Sequence, residues 1–242
     1  MTDRPIEAII MAGGRGKRLM PYTTVLPKPL MPLGDAPVLE YLLRRLHAQG
    51  IRRVCLAVNH LHHLIKAFFG DGAGLGLLIE YAVENTPLGT CGPVTQVLDR
   101  MADRFLLLNG DLITNLDLAE VMTEHHRRDA AATVAVLKRS VQLDYGALDM
   151  DDSGRVTAIR EKPTTDYLVS MGVYALTRDR LRPFLAPNVA LDMPDMLNTM
   201  LAAGCSVHAY RADCDWLDIG RPEDYARALA MVGADSTTEV AG

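Results

Sequence analysis

Residues 6–33 read IEAIIMAGGRGKRLMPYTTVLPKPLMPL. The apolar run over 8–12 is long enough for one buried strand and too short for a membrane span. It passes into Gly13-Gly14-Arg15-Gly16-Lys17-Arg18. Three glycines in four positions let the backbone turn tightly and approach a ligand with no side chain between them. Successive free N–H groups in such a loop form a concave anion site. Arg15, Lys17, Arg18 and Lys28 add positive charge around it. Strand, bare loop and clustered cations together read as a polyphosphate site.

Spacing separates the known phosphate loops. A Walker A loop requires Ser or Thr after Gly-Lys, and here Arg18 follows Gly16-Lys17; Met11 stands where its first glycine belongs. A dinucleotide fingerprint requires a third glycine where this chain has Leu19. Pro21, Pro27, Pro29 and Pro32 also forbid an immediate long helix. What remains is a long irregular loop laid over a nucleoside triphosphate. A plain turn does not need some twenty irregular residues in a compact domain.

Beyond that loop, apolar periodicity alternates between types. Helices are expected from near Pro37 to Gly50 with Asp35 or a neighbour as cap, over 60–69, 90–101, 120–128 and 192–203, and after Pro222. Strands are expected over 54–58, 77–83, 105–108, 132–137, 168–176 and 206–210, with a hairpin turning at Asp151-Asp152-Ser153-Gly154. Strands alternating with helices imply an α/β fold with a mostly parallel, mixed central sheet covered on both faces. Ligands in such sheets bind beyond the carboxyl ends of the strands. That puts the glycine loop, residues 84–92 and residues 109–111 on one rim.

The composition agrees with a globular chain: 49% of its 242 residues are hydrophobic and the formal net charge is −5. An acidic total argues against general nucleic-acid binding. Cys55, Cys91, Cys205 and Cys214 form no C-x-x-C pair, which points to a reducing, cytoplasmic setting. No membrane partner or signal peptide is expected from the pattern. His60, His62 and His63 read as a surface helix start, and His125-His126-Arg127-Arg128 as a solvated helix end.

Ala12-Gly13-Gly14 with Gly16, Arg18 and Leu19, then Pro21 and Thr23, then Pro27-Lys28-Pro29-Leu30-Met31-Pro32-Leu33, resembles the start of the sugar-1-phosphate nucleotidyltransferases. Lys17 departs from the Thr usual there. The resemblance covers about residues 6–228. It implies a Rossmann-like (GT-A-like) three-layer sandwich as a single domain over 1–234. A nucleotide-binding half covers about 1–115 and a smaller sugar-phosphate-binding lobe about 116–234, with a tail over 235–242 and no C-terminal β-helix. The implied substrates are a nucleoside triphosphate and a sugar 1-phosphate, the cofactor is Mg²⁺, and a homodimer is the expected assembly.

Site residues follow from the same resemblance. Arg18, Lys28 and Lys162 are assigned to catalysis. Ala12, Gly13, Gly14, Gly16, Lys17, Glu84, Pro87, Gly89 and Thr90 are assigned to the nucleotide. Asn109, Gly146, Glu161 and Ser170 are assigned to the sugar phosphate, Ser170 replacing a usual Asn. The Gly110-Asp111 step ends a buried strand, and Trp216-Leu217-Asp218-Ile219-Gly220 matches a second metal segment; Asp111 and Asp218 are therefore the expected magnesium ligands. Glu84 within Glu84-Asn85-Thr86-Pro87-Leu88-Gly89-Thr90 is closest to guanylyltransferases for mannose or manno-heptose phosphates. A carboxylate only accepts hydrogen bonds, and guanine offers two donors on its pairing edge. Ribose binding and helix capping are the alternatives for Glu84. The rivals in function are a uridylyl- or thymidylyltransferase, a catalytically silent nucleotide-sugar-binding subunit, and a nicotinamide-dependent oxidoreductase.

Overall fold

In the computed structural model, which describes residues 6–14 and 16–236, the first apolar run becomes β1 (Glu7–Met11). The chain continues through β2 (Pro32–Leu33), β3 (Ala36–Pro37), α1 (Val38–Ala48), β4 (Arg53–Val58), α2 (His62–Phe69) and β5 (Leu78–Val83). Then come β6 (Arg104–Asn109), β7 (Leu112–Thr114), α3 (Leu118–Arg127), β8 (Ala132–Gln142), β9 (Ala147–Met150), β10 (Val156–Arg160) and β11 (Thr164–Thr177). The last elements are α4 (Arg178–Leu181), α5 (Met193–Ala202), β12 (Val207–Arg211), β13 (Trp216–Asp218) and α6 (Pro222–Ser236). Arg15 and residues 237–242, most of the expected tail, lie outside the described residues.

Seven strands form the main sheet in the order β12-β8-β11-β6-β1-β4-β5. β6, β1, β4 and β5 run parallel, with Ile10 level with both Leu56 and Leu108. Their carboxyl ends therefore share one rim. β11 runs antiparallel to both β6 and β8. The two-residue period of a strand sends successive side chains to opposite faces. Ile10, Leu106 and Leu108 pack with Leu39, Leu43, Leu46 and Val121 on one face. Ile9, Phe105 and Leu107 pack with Val94, Met193, Met196 and Met200 on the other. A smaller cluster joins Leu19, Met31 and Leu33 of the first loop to Leu217, Ile219 and Ala228.

β8 and β11 outrun the sheet. β12 pairs with β8 only as far as Val136, and β6 pairs with β11 only back to Val173. The six steps of β11 from Ser170 to Thr164, about 20 Å at the usual rise, continue as a two-stranded ribbon. The β9–β10 hairpin extends it further. Since β11 is antiparallel to β6, this ribbon overhangs the rim where the parallel strands end.

Four expectations change. Residues 90–101 form two short 3₁₀ turns, Gly92–Gln96 and Leu98–Arg100, in place of a helix. The amides of Cys91 and Gly92 donate to Leu191 O, and Val97 (φ −125°) breaks the run. Asp35 caps nothing: α1 begins after Pro37 with no side-chain cap, and Asp35 instead accepts from the Tyr41 hydroxyl at 3.4 Å. α2 starts at His62, because Leu61 turns left-handed at φ 56° and the His62 amide donates back to Asn59 O. His125 is fully buried, held between Thr133 Oγ1 (2.9 Å) and Thr177 Oγ1 (3.0 Å). It lies on the inward face of α3, not on a solvated end.

Candidate active site

The rim is built by close backbone crossings. Gly110 donates to Met11 O at 3.0 Å, and a Cβ on Gly110 would lie 2.9 Å from that oxygen. Only glycine lets the end of β6 lie so close to the end of β1. The chain then turns through Asp111 into β7, which pairs with β13 so that Leu112 faces Asp218. The Ile219 amide donates to Asp111 O at 3.0 Å. Two aspartates about a hundred residues apart are thereby set side by side.

Their surroundings define the chemistry. Lys28 Nζ forms an ion pair with Asp111 Oδ2, both side chains mostly shielded from solvent. Asp218 Oδ1 is buried with no hydrogen-bond partner. Burial, followed by the charge of Asp111, pushes the Asp218 carboxyl up to about 6, while Lys28 and Arg18 pull it back. A Cβ on Gly220 would lie 3.6 Å from both Arg18 Nη1 and Asp218 Oδ1, so the Arg18 guanidinium stands beside this carboxylate. An orphaned buried carboxylate oxygen beside a second carboxylate suits a hard divalent cation such as Mg²⁺. Among the described residues there is no group of three or more His, Cys, Asp or Glu that could hold a metal. Two carboxylates leave coordination positions for water and phosphate oxygens, the usual pattern for Mg²⁺.

The glycine loop stands next to this pair. Gly16 adopts φ 59°, and a Cβ there would meet Thr23 Cγ2 at 2.8 Å. Thr23 Oγ1 donates to Gly16 O at 2.8 Å and closes the turn. An open cleft of about 660 Å³ follows, lined by Gly13, Gly14, Gly16 and Lys17 on one side and Glu84, Pro87, Gly89 and Thr90 on the other. Ala12 sits beneath it, its side chain in the core.

Glu84 is 7% exposed, and burial raises its pKa. Its Oε2 accepts the Leu88 amide at 2.9 Å, so one oxygen is committed to the turn that follows. Oε1 lies against Gly13, where a Cβ would be 2.9 Å away. The Asn59 side chain hydrogen-bonds to the same carboxylate, so Glu84 ties the loop after β5 to the end of β4. Thr90 is similarly engaged: its amide (2.9 Å) and hydroxyl (3.2 Å) both donate to Asp192 Oδ1.

The expected sugar side is arranged around a bulge in β11 between Ser170 and Tyr174. Gly172 has φ 72°, and its missing Cβ would come within 2.5 Å of Asn109 Nδ2. Trp216 Nε1 donates to Met171 O at 2.9 Å. Ser170 Oγ is 3.0 Å from the Tyr174 hydroxyl and accepts the Gly172 amide at 3.3 Å, closing the bulge. Gly146, Glu161 and Lys162 are exposed on the overhanging ribbon, with Glu161 Oε2 3.3 Å from the Cβ position of Gly146. Lys162 takes φ 43°, and Gln142 Nε2 donates to its carbonyl at 3.3 Å.

The structure thus gathers Arg18, Lys28, Asp111 and Asp218 at one point, sets the residues expected to bind the nucleotide, Ala12 excepted, along the cleft, and carries Gly146, Glu161 and Lys162 on the ribbon. Asn59 was not anticipated. It lines the cleft, and its Cβ lies 3.2 Å from the Cβ position of Gly13. Its signal was available, since it directly follows the last residue of a buried parallel strand.

The nucleotidyl transferase family model matches residues 7–234. The chain is 33% identical over 235 residues to mannose-1-phosphate guanylyltransferase of Mycobacterium tuberculosis, covering 95% of this chain and 65% of the relative. It is 32% identical over 229 residues to D-glycero-alpha-D-manno-heptose 1-phosphate guanylyltransferase of Campylobacter jejuni, covering 93% of this chain and 99% of the relative. A UTP–glucose-1-phosphate uridylyltransferase of Synechocystis is 28% identical, and 63% of it is covered. The chain thus spans just under two thirds of the Mycobacterium and Synechocystis relatives. The fold is shared with HddC from Yersinia pseudotuberculosis at a TM-score of 0.74 and 24% identity, covering 94% of this chain and 99% of that one. With a family match over nearly its whole length, the chain belongs to the nucleotidyl transferase family.

Proposed function

We propose that the protein is a Mg²⁺-dependent sugar-1-phosphate nucleotidyltransferase that converts a nucleoside triphosphate and a sugar 1-phosphate into a nucleotide sugar and pyrophosphate. The observation that carries this reading is the convergence of Arg18 and Lys28 on the Asp111–Asp218 pair at the mouth of the glycine-lined cleft. One domain performs the reaction, its two halves presenting the two substrates across β6.

The nucleotide lies along residues 13–17 with its base toward Glu84, Pro87, Gly89 and Thr90. Arg18 and Lys17 face the β- and γ-phosphates, and Lys28 the α-phosphate. The sugar phosphate is held from the ribbon by Glu161, Gly146 and Lys162 and from the rim by Asn109. Ser170 supports that rim by closing the bulge. A phosphate oxygen of the sugar phosphate attacks the α-phosphorus. The bond from the α-phosphorus to the bridging oxygen of the β-phosphate breaks, and that oxygen's electron pair leaves with pyrophosphate. A phosphate monoester, with its second pKa near about 6, is already mostly dianionic at neutral pH and needs no general base. Repulsion between anions is the obstacle, and fixed cations are the remedy. Mg²⁺, held by Asp111 and Asp218, supplies further neutralisation of phosphate charge when bound.

GTP with a mannose- or manno-heptose-type 1-phosphate is the substrate pair, supported by the names of the relatives at 32–33% identity. A uridylyl reading has support from the Synechocystis relative. The expected setting is cytoplasmic, with a homodimer as the assembly and neither nucleic acid nor membrane as partner. Among the described residues, no helix is long and apolar enough to cross a membrane.

The deciding experiment measures pyrophosphate release with Mg²⁺, crossing five nucleoside triphosphates with a panel of sugar 1-phosphates. Release confined to GTP with a manno-configured sugar is expected. Release with UTP or dTTP alone would keep the reaction and overturn the guanine assignment. Silence from every pair, with a nucleotide sugar still bound, would replace catalysis by a sensing role.

A further inference from the structure

The cleft wall formed by Pro87, Gly89 and Thr90 is glycine-containing and lacks regular structure, yet it is fastened at both ends. At one end Glu84 Oε2 takes the Leu88 amide. At the other, Asp192 Oδ1 takes both donors of Thr90, a contact spanning 102 positions of sequence. Asp192 occupies the N-cap position of α5, where an aspartate ordinarily accepts an amide of its own helix. Here it makes no such bond. The Thr90 hydroxyl accepts the Met193 amide at 2.8 Å instead, so the two residues have exchanged roles.

The backbone repeats the connection. Leu191 donates to Leu88 O at 2.9 Å and accepts from Cys91 (2.9 Å) and Gly92 (3.1 Å). A Cβ on Gly89 would lie 2.6 Å from Leu191 O, so the two segments meet where a side chain cannot fit. α5 is itself immobilised by Met193, Met196 and Met200, all buried.

We propose that Asp192 is a positioning residue for the nucleotide: it latches the cleft wall to α5 and so sets the place of the groups that face the base. The inference rests on the nucleotidyltransferase reading and extends it to a residue outside the cleft. Because the latch touches the nucleotide wall alone, its loss separates the two substrates kinetically.

The test compares Asp192→Ala with Asp192→Asn, whose amide oxygen retains two lone pairs for the two Thr90 donors. Asp192→Ala is expected to raise KM for the nucleoside triphosphate about tenfold, leaving kcat and KM for the sugar phosphate within about twofold. Asp192→Asn should restore the nucleotide KM to within about twofold of wild type. Unchanged nucleotide KM in a folded Asp192→Ala protein would overturn the proposal. So would an equal rise for both substrates, or an Asn variant as impaired as the Ala variant. Should Asp192→Ala fail to fold, Asp192→Ser decides in its place, its short hydroxyl able to cap α5 while withdrawing the acceptor from Thr90: a raised nucleotide KM alone is expected, and an unchanged one would overturn the proposal. If the wild-type protein turns over no substrate pair, the parent reading falls and equilibrium dialysis with GTP decides the latch. A roughly tenfold weaker Kd in Asp192→Ala would then sustain it, and equal affinity, or no GTP binding by either protein, would overturn it.

Discussion

At the scale of single residues, the proposed phosphate chemistry rests on four charged side chains. Asp111→Asn and Arg18→Ala should each lower kcat/KM on the order of a hundredfold or more, since each removes a charge aimed at reacting phosphates. Both should still fold; near-normal turnover in either would refute its role. Arg18 and Asp111 were legible from backbone signals, a glycine loop after a strand and Gly-Asp at a strand end, whereas Asp218 was legible only through the family resemblance, since Trp216-Leu217-Asp218-Ile219-Gly220 by itself reads as a strand ending in a turn. Glu84 was legible as a hydrogen-bond acceptor on the rim. Its commitment to the Leu88 amide was not, because that bond depends on how residues 85–88 turn. Asp192 carried no signal either: a helix-capping aspartate looks the same in sequence whether or not its side chain turns away.

At the scale of elements, the parallel strands were readable from short apolar runs, whereas residues 90–101 were not. Their periodicity resembles a helix, yet the pull of Leu191 O on two amides and the kink at Val97 decide otherwise. The ribbon was visible only as a turn at residues 151–154; its overhang follows from strand order, which local sequence does not state. Replacing residues 147–160 by a short turn should leave GTP affinity within about twofold while greatly raising KM for the sugar phosphate, because only the second half's contacts hang from the ribbon. Equilibrium dialysis and steady-state kinetics would separate the two effects. His125 ties α3 to β8 and β11 through Thr133 and Thr177. Burial, with smaller help from Arg104, His126 and Arg180, drives its pKa down to about 4. The unfolded chain, with an ordinary histidine, takes up the proton first. Stability is therefore full above about pH 6.5 and falls as pH drops toward 4. Between pH 7.5 and 5 this one group should remove about 2 kcal/mol, read as a lower urea midpoint. His125→Gln should be less stable at pH 7.5 yet lose that part of the slope; an unchanged slope would assign it to other groups.

At the scale of the whole molecule, β6 divides the sheet: parallel strands and glycine loops lie on one side, and antiparallel strands with their ribbon on the other. The far end of the sheet is stitched by charge, with Arg53 bridging Glu7 (2.8 Å) and Glu80 (2.9 Å), and Arg100 joining Glu80 (3.0 Å). Lys162→Ala should raise KM for the sugar phosphate while leaving nucleotide affinity unchanged, as its place on the ribbon requires; a parallel loss for both substrates would contradict that division.

The orphaned oxygen of Asp218 has a consequence for the folded state itself. A buried acceptor without a partner penalises folding, and a divalent cation that satisfies it binds the native chain and not the unfolded one. The melting temperature should therefore climb with added Mg²⁺ in the absence of any substrate, by about 2.7 kcal/mol of stability at a hundredfold excess over Kd. Asp218→Asn should abolish that climb. The carboxylate proposed to organise phosphates would then make the durability of the protein depend on the ionic composition around it.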